Sequence, residues 1–214
     1  MRTTIIRTGL IAIVAGALFL GCSDDETVNP NPKLSRFKKQ TSPENVLHNL
    51  GAAYEAREIA PYDSLIYDAG GAAADTFSYF FSDGDIVRCG TPPSWGRAQE
   101  ICATRRLFEA DRVTSLQLKL TPGSSSRRDD RRVIHVSDVY MTMVARPDST
   151  GGATTYLVRG LRAEFEFKVQ WVDARGDSLW RIVSWKDLPP AYGSEIPPPS
   201  GWGCWKYFYS AGCD

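Results

Sequence analysis

The feature that most constrains the fold of this chain is the alternation of apolar and polar residues in LRAEFEFKVQWV, residues 161–172. Successive side chains of a β-strand point to opposite faces of the sheet, so this pattern predicts a strand with one buried and one solvated face. The predicted buried face carries Leu161, Ala163, Phe165, Phe167, Val169 and Trp171. Tyr156 and Val158 upstream have the opposite parity, which predicts a β-bulge near Gly160 that bends the sheet.

Four further segments predict strands. VTSLQLKL, residues 113–120, alternates in the same way, and VIHVSDVYMTMVA, residues 133–145, is its predicted partner across a loop at 121–132. SLWRIVSWKDL, residues 178–188, follows a hairpin turn and ends where two prolines would interrupt the hydrogen-bond ladder. Earlier in the chain, the aromatic segment TFSYFF, residues 76–81, indicates one more strand.

Three segments predict helices. The first begins with Ser42 as N-cap and Pro43 at the first helical position, and its apolar residues then recur at spacings of three and four. A short second helix is expected at residues 61–67, and a third runs from a cap near Ser94 to about residue 108. The segment SDGD, residues 82–85, is predicted to be a turn.

The order of these elements resembles the nuclear transport factor 2-like, or SnoaL-like, fold over about residues 43–188. The resemblance rests on the segments SPENVLHNLGAAYEAREIAPYDSLIY, FSYFF, YLVRGLRAEFEF and LWRIVSWKDL. It implies an α+β domain in which three N-terminal helices pack in a strongly curved antiparallel sheet and form a cone with a pocket. These segments specify a fold rather than an activity.

The beginning of the chain indicates export. Arg2 and Arg7 precede an apolar run, residues 9–20, which is the layout of a secretory signal. The run is shorter than the roughly 20 apolar residues that a membrane-spanning helix needs. The sequence LFLGC, residues 18–22, resembles a bacterial lipobox, whose cysteine is lipidated and becomes the new amino terminus. The whole pattern resembles bacterial lipoproteins that carry this domain.

Lipidation of Cys22 would anchor the chain without a spanning helix, because the modified cysteine of such lipoproteins carries three acyl chains. Phe19 stands where a leucine is usual, and the alternative is an ordinary cleaved signal that leaves Cys22 as a thiol. Ser23 in place of aspartate favours the outer membrane, facing the periplasm. The expected plan is a signal peptide at 1–21, a flexible tether at 22–42, the domain at 43–189 and a proline-rich, aromatic tail at 190–214.

The charge balance argues against nucleic acid as a partner. The chain has 25 basic and 25 acidic residues, and it stays near neutral when the signal is removed. The run RRDDRR, residues 127–132, includes two aspartates, so we interpret it as a solvated hairpin loop.

Four cysteines follow Cys22 in the chain: Cys89, Cys102, Cys204 and Cys213. An even number in an exported protein predicts two disulfides, and the sequence permits three connectivities. We favour the local pairs Cys89–Cys102 and Cys204–Cys213, which close two short loops. No spacing is CxxC, and only His48 and His135 could add imidazole, so we expect no metal site and no cofactor.

The resemblance implies a cone pocket in which isomerase-like, dehydratase-like and cyclase-like members of the family transfer protons. The weak catalytic candidates here are Tyr54, His135, Asp138 and Tyr140. His135 and Asp138 have opposite parity on their strand and should face opposite ways unless a bulge intervenes. No catalytic motif is matched residue by residue, so an acid/base enzyme is the alternative hypothesis.

The preferred hypothesis is a non-catalytic, lipid-anchored envelope protein whose cone binds a small apolar ligand or whose sheet docks a protein partner. It rests on the number of aromatic side chains in the strands, which exceeds what a thin sheet must bury. The residues expected to line the ligand pocket are Tyr54, Phe77, Tyr79, Phe165, Phe167 and Trp180. The resemblance also implies a homodimer, because many family members dimerise through the sheet.

The tail GWGCWKYFYSAGCD, residues 201–214, concentrates aromatic side chains around a predicted Cys204–Cys213 loop. Such a loop predicts either a strap across the domain, which we favour, or a recognition element for a partner.

Overall fold

The computed structural model describes residues 36–70, 76–146, 152–172, 176–189 and 201–213. The predicted signal peptide, Cys22, the tether up to residue 35 and the connector at 190–200 lie outside these ranges, as does the side chain of Trp171. Within the described ranges, no helix is both long and apolar enough to cross a membrane.

The described chain forms an α+β arrangement of five helices and six strands. The helices are α1 (Pro43–Ala56), α2 (Ile59–Asp63), α3 (Asp83–Cys89), α4 (Arg97–Glu109) and α5 (Trp202–Tyr209). The strands are β1 (Ser78–Phe80), β2 (Ser94–Gly96), β3 (Val113–Arg128), β4 (Arg131–Ala145), β5 (Thr154–Val172) and β6 (Ser178–Leu188).

The strands form one curved half-barrel sheet in the order β2-β1-β6-β5-β4-β3. Neighbouring strands run antiparallel except β1 and β6, which are parallel, so the sheet is mixed rather than antiparallel throughout. The β4–β5 register shifts between Val158 and Leu161, which confirms the predicted bulge near Gly160. A second shift in the same pairing lies between Val136 and Val139, and the β3–β4 pairing has its own shifts on either side of Pro122. Such irregularities bend a strand and increase its twist.

Helix α1 begins as the sequence predicts. Ser42 Oγ accepts a hydrogen bond from the Asn45 backbone N–H at 3.2 Å, and Pro43 occupies the first turn. The apolar face of the helix packs against β3 and β6 and buries Val46, Leu47, Leu50, Ala53 and Tyr54. Each large apolar side chain buried here contributes about 1.5–3 kcal/mol, so tertiary packing stabilises the helix more than its own propensity does.

Among the described residues, four helices precede β3 where three are predicted, because the predicted turn SDGD opens a helix. Ser82 Oγ accepts from the Asp85 backbone N–H at 3.2 Å and caps α3. The helix expected from Ser94 begins instead at Arg97, since residues 94–96 pair with β1 as strand β2. The second helix is also earlier and shorter than expected, at Ile59–Asp63.

The predicted loop at 121–132 is mostly strand. β3 continues to Arg128 and β4 starts at Arg131, leaving Asp129 and Asp130 as the turn between them. Asp129 has a φ of 52°, a left-handed conformation that aspartate tolerates better than most residues.

The packed part of the chain begins at Phe37, earlier than the expected boundary at residue 43. Phe37 packs against the core, and the Lys38 backbone exchanges two hydrogen bonds of 2.7 Å with the Asn49 side chain. The Trp180 backbone N–H donates to the Gln40 carbonyl at 2.8 Å. The last residues of the predicted tether therefore belong to the domain.

Candidate functional site

Helix α5 packs against α3 and α4 and places two of its side chains in the interior of the domain. Trp202 and Lys206 are each 1% exposed, and the Trp202 ring meets that of Tyr54 edge-on at 5.5 Å between centroids. The tail is thus a helix that covers the domain, where the sequence predicted a small disulfide loop. Its packing agrees with the strap interpretation of the tail.

Two disulfides attach α5 to the helices beneath it. Cys89 at the end of α3 bonds to Cys204, and Cys102 in α4 bonds to Cys213, with a Cα–Cα distance of 5.7 Å in both. The prediction of two disulfides is confirmed, and the predicted local pairing is wrong. The reason is the packing of the helices. Helix α5 lies on α3 and α4, so each tail cysteine meets a cysteine of one of these helices instead of the other tail cysteine.

The amino end of α5 rests on Asp85. A Cβ at Gly203 would lie 2.7 Å from Asp85 Oδ2, and one at Gly201 would overlap Oδ1, so only glycine allows this approach. The carboxylate accepts hydrogen bonds from Ser82 Oγ, at 2.8 Å, and from the Cys204 backbone N–H. Burial raises the pKa of Asp85 above its ordinary value, and these two hydrogen bonds oppose the shift. Asp85 caps α5 in place of an N-cap side chain.

Lys206 pairs with a carboxylate that has no exposed surface. Its Nζ lies 2.5 Å from Glu100 Oε1. The same carboxylate accepts hydrogen bonds from Trp95 Nε1, at 2.9 Å, from the Tyr62 hydroxyl and, more weakly, from Thr104 Oγ1 at 3.4 Å. Burial lowers the pKa of Lys206, and the Glu100 charge and hydrogen bond oppose that change.

Aromatic rings surround the same ammonium group. Lys206 Nζ lies 3.9 Å from the centre of the Trp185 ring, 4.0 Å from that of Tyr79 and 5.7 Å from that of Trp202. At these distances the ring faces attract a cation. We call Glu100, Tyr79 and Trp185 the ammonium cage, since all three belong to the domain rather than to α5.

A third buried carboxyl group, that of Asp187, contacts the far side of both rings. Asp187 accepts hydrogen bonds from the Tyr79 hydroxyl and from Trp185 Nε1, the latter at 2.8 Å. Burial raises its pKa to about 7, although the hydrogen bond from Tyr79 and the charge of Lys206 work against the increase.

The predicted catalytic candidates do not come together. Tyr54 is buried in the core, whereas the other three lie on β4, outside it. His135 Nδ1 is 3.4 Å from Glu164 Oε2, Asp138 is exposed, and Tyr140 is half-buried. The bulge that could change their parity does exist, but it does not bring these side chains to Tyr54.

The residues predicted to line a ligand pocket are mostly core residues. Tyr54, Phe77, Tyr79, Phe165 and Phe167 have no exposed surface, and Trp180 is partly buried against them. Two grooves of about 970 and 400 Å³ lie elsewhere, one between α1 and β3 and one across β1, β6, β5 and β4. None of the six residues lines either groove.

Four of the buried polar residues are charged groups beneath or on α5 that the sequence does not indicate as site residues: Asp85, Glu100, Asp187 and Lys206. One of them left a signal in the sequence. Asp187 has the same parity as Trp185 and so places a charge on the apolar side of its strand. Among the described residues, no group of three or more histidine, cysteine or acidic side chains could hold a metal ion.

Comparisons with solved structures concern the fold. The protein Kfla4162 from Kribbella flavida is 17% identical over 70% of this chain and 88% of its own, with a TM-score of 0.50. An NTF2-like family protein from Streptomyces avermitilis is 15% identical over 74% of this chain and 97% of its own, with a TM-score of 0.48. An NTF2-like protein from Pseudomonas putida is 10% identical over 71% of this chain and 86% of its own, with a TM-score of 0.45.

The sequence matches no protein-family model and no curated protein. The likeness to the Kribbella protein is one of fold alone and says nothing of activity. The curved sheet packed against helices is consistent with the nuclear transport factor 2-like cone that the sequence resemblance implies.

Proposed function

We propose that this chain is a lipid-anchored protein of the bacterial cell envelope that binds a ligand inside its cone and catalyses no reaction. One observation carries the binding part of the proposal. The domain holds a carboxylate and two ring faces around a single point, and the group at that point comes from a separate helix that two disulfides attach.

The expected apolar lining is already packed in the core, so a ligand in this cone takes the place of α5 side chains rather than of an empty volume. The surroundings of Lys206 suit a ligand with a polar or charged end more than the wholly apolar ligand expected from the sequence. The absence of turnover is supported by Glu100, whose oxygens already accept hydrogen bonds from four side chains.

Export and anchoring are supported by the chemistry of the cysteines. Structural disulfides persist in oxidising compartments such as the bacterial periplasm. Two of them in this chain are consistent with the secretory signal and with the lipobox pattern that ends at Cys22.

Native mass spectrometry tests the binding part of the proposal. The full chain, exported with its own signal and released from detergent, is reduced, exposed to a small-molecule extract of the cell envelope and measured. We expect a mass excess that disappears on denaturation and that is smaller in the oxidised protein. A reduced, folded protein that remains bare would refute the proposal.

An acid/base enzyme is the second candidate, and Asp187 is the observation that favours it. Its pKa of about 7 and its hydrogen bond from the Tyr79 hydroxyl suit a group that gives and takes protons near neutral pH. If the protein is an enzyme, Asp187→Asn abolishes turnover of a bound compound without abolishing its binding. If it is a binding protein, the bound compound leaves the wild type unchanged.

A further inference from the structure

We infer that the cone interior is a binding site for an organic ammonium group, and that Lys206 is the tethered occupant of this site. The inference rests on the proposed function, because it names the class of ligand that the cone takes. The juxtaposition that carries it is the Lys206 ammonium held between the Tyr79 and Trp185 rings and the Glu100 carboxylate.

The chemistry of the cage selects a cation with an organic body. The Glu100 carboxyl group lies 2.5 Å from Lys206 Nζ, and the two rings present their electron-rich faces at 4.0 and 3.9 Å. A hydrated metal ion gains little from ring faces. An alkylammonium or quaternary ammonium group gains from the rings, from the carboxylate and from the apolar surroundings of its carbon atoms.

The receptor groups do not depend on α5. Glu100 is on α4, Tyr79 on β1 and Trp185 on β6, and the Glu100 partners Trp95 and Tyr62 also belong to the domain. Removal of α5 therefore takes away the cation and leaves its receptor in place. A buried carboxylate without a cation is strongly disfavoured, so the vacated cage needs another positive group.

The covalent attachment of α5 explains how Lys206 stays in the cage. Two disulfides hold α5 against the domain. The non-covalent packing of α5 is weakened by the buried Trp202 indole N–H, which has no hydrogen-bond partner among the described residues. Phe208 of the same helix is 64% exposed, so most of this aromatic side chain adds no buried apolar area when α5 packs on the domain. We expect the disulfides to decide whether a ligand can displace Lys206.

A dithiol opens the site in the test. Dithiothreitol reduces each disulfide by donating two electrons and two protons, which gives two thiols and leaves dithiothreitol as a cyclic disulfide. The full chain is titrated with n-propylammonium and tetramethylammonium, oxidised and reduced, while tryptophan fluorescence reports the cage. We expect saturable binding to the reduced protein, at least about tenfold weaker binding to the oxidised protein, and no saturation with neutral 1-propanol.

Lys206→Ala provides a second route with the disulfides intact. n-Propylammonium matches the part of the lysine side chain that the variant lacks. It should raise the melting temperature of the variant by about 3–5 °C at ten times its Kd, with no effect on wild type. The matched control is Lys186→Ala, which removes an exposed lysine of β6 outside the cage and should behave as wild type. Lys206→Ala combined with Glu100→Gln should lose the response.

The inference is wrong if neither the reduced wild type nor Lys206→Ala binds the ammonium probes better than 1-propanol, since Lys206 is then a structural partner of Glu100 only. If full reduction unfolds the chain, the double variant Cys89→Ser with Cys204→Ser is titrated in place of the reduced protein, because it keeps the Cys102–Cys213 disulfide. If every form with α5 displaced unfolds, no open site exists and the inference is also wrong. A different compound retained in native mass spectrometry would overturn the ammonium assignment while leaving the proposed function standing.

Discussion

Glu100 and Lys206 neutralise each other where water does not reach, with side-chain exposures of 0% and 1%. A buried ion pair of this kind adds little stability over an apolar pair of the same size, but loss of one partner leaves an unpaired charge in the interior. The cost of changing one of these residues therefore depends on whether the other is changed with it.

Glu100→Ala should lower the free energy of unfolding by about 3–5 kcal/mol, because it leaves the Lys206 ammonium buried without a counter-charge. Urea denaturation followed by circular dichroism measures the change. The matched control, Glu55→Ala on the exposed side of α1, should stay within about 0.5 kcal/mol of wild type. Glu100→Gln with Lys206→Met should recover much of the loss. Equal losses from the single and double variants would contradict the pairing argument.

Asp187 makes stability depend on pH. Its folded pKa is about 7 because of burial, whereas an aspartate in the unfolded chain titrates near 3.9. The folded state thus holds more protons between roughly pH 4 and 7, and the free energy of unfolding falls as the pH rises through this window. The raised pKa of Asp85 acts in the same direction.

Asp187→Asn should remove most of this dependence, since the amide does not titrate. We expect wild type to lose up to about 1.4 kcal/mol for each pH unit of the window, and the variant to lose clearly less. Urea denaturation at pH 4.5 and pH 7.5 gives the comparison, with Asp138→Asn, an exposed position, as control. The same slope in Asp187→Asn and wild type would exclude Asp187 as its source.

At the residue scale, the sequence predicted the core better than the site. Phe165 and Phe167 were assigned to the buried face by parity, and both have no exposed surface. The sequence gives no signal for Glu100, because a single acid on a helix with many polar residues is typical of a solvated face and its cation lies 106 residues away in the chain. Only the tertiary fold brings such a pair together.

Helix α5 is the element whose position depends most on covalent bonds. The two disulfides span 115 and 111 residues, and they lie close enough along the chain to act together. Once one disulfide has formed, the second closes only a small loop, made of the short segments between neighbouring cysteines. The first disulfide to be removed therefore costs less free energy of unfolding than the second.

Removal of either disulfide alone, as Cys89→Ser with Cys204→Ser or as Cys102→Ser with Cys213→Ser, should lower the free energy of unfolding by about 3 kcal/mol. Removal of both should cost more than the sum of the single losses, because the second removal releases a loop of over 100 residues worth about 4.7 kcal/mol. Urea denaturation of the three variants tests this. A loss smaller than the sum would indicate that α5 stays docked without either bond.

At the element scale, local patterns predicted α1 and β5, where side-chain periodicity and tertiary packing agree. They failed for α3, where SDGD has the composition of a turn but Ser82 and Asp85 form a helix cap. They also failed for α5, because glycine and proline near a tail predict irregular structure and the helix depends on contacts with α3 and α4.

At the scale of the whole molecule, the predicted attachment to a membrane rests on Cys22. Expressed with its own signal in a bacterium, the full chain should incorporate a labelled fatty acid and sediment with membranes. Cys22→Ala should remain unlabelled and appear in the soluble periplasmic fraction. Cys102→Ala serves as control, because it removes a cysteine of the domain and should leave labelling intact. A labelled Cys22→Ala chain would contradict the lipobox interpretation.

The crossed pattern of disulfides also bears on how the protein survives proteolysis. Cys89 and Cys102 lie before any cut made between residues 103 and 203, and Cys204 and Cys213 lie after it. A single cleavage anywhere in that span therefore produces two fragments that two covalent bonds still join. The nicked molecule keeps its mass on a non-reducing gel, and its carboxyl-terminal fragment cannot diffuse away until a reductant reaches both bonds.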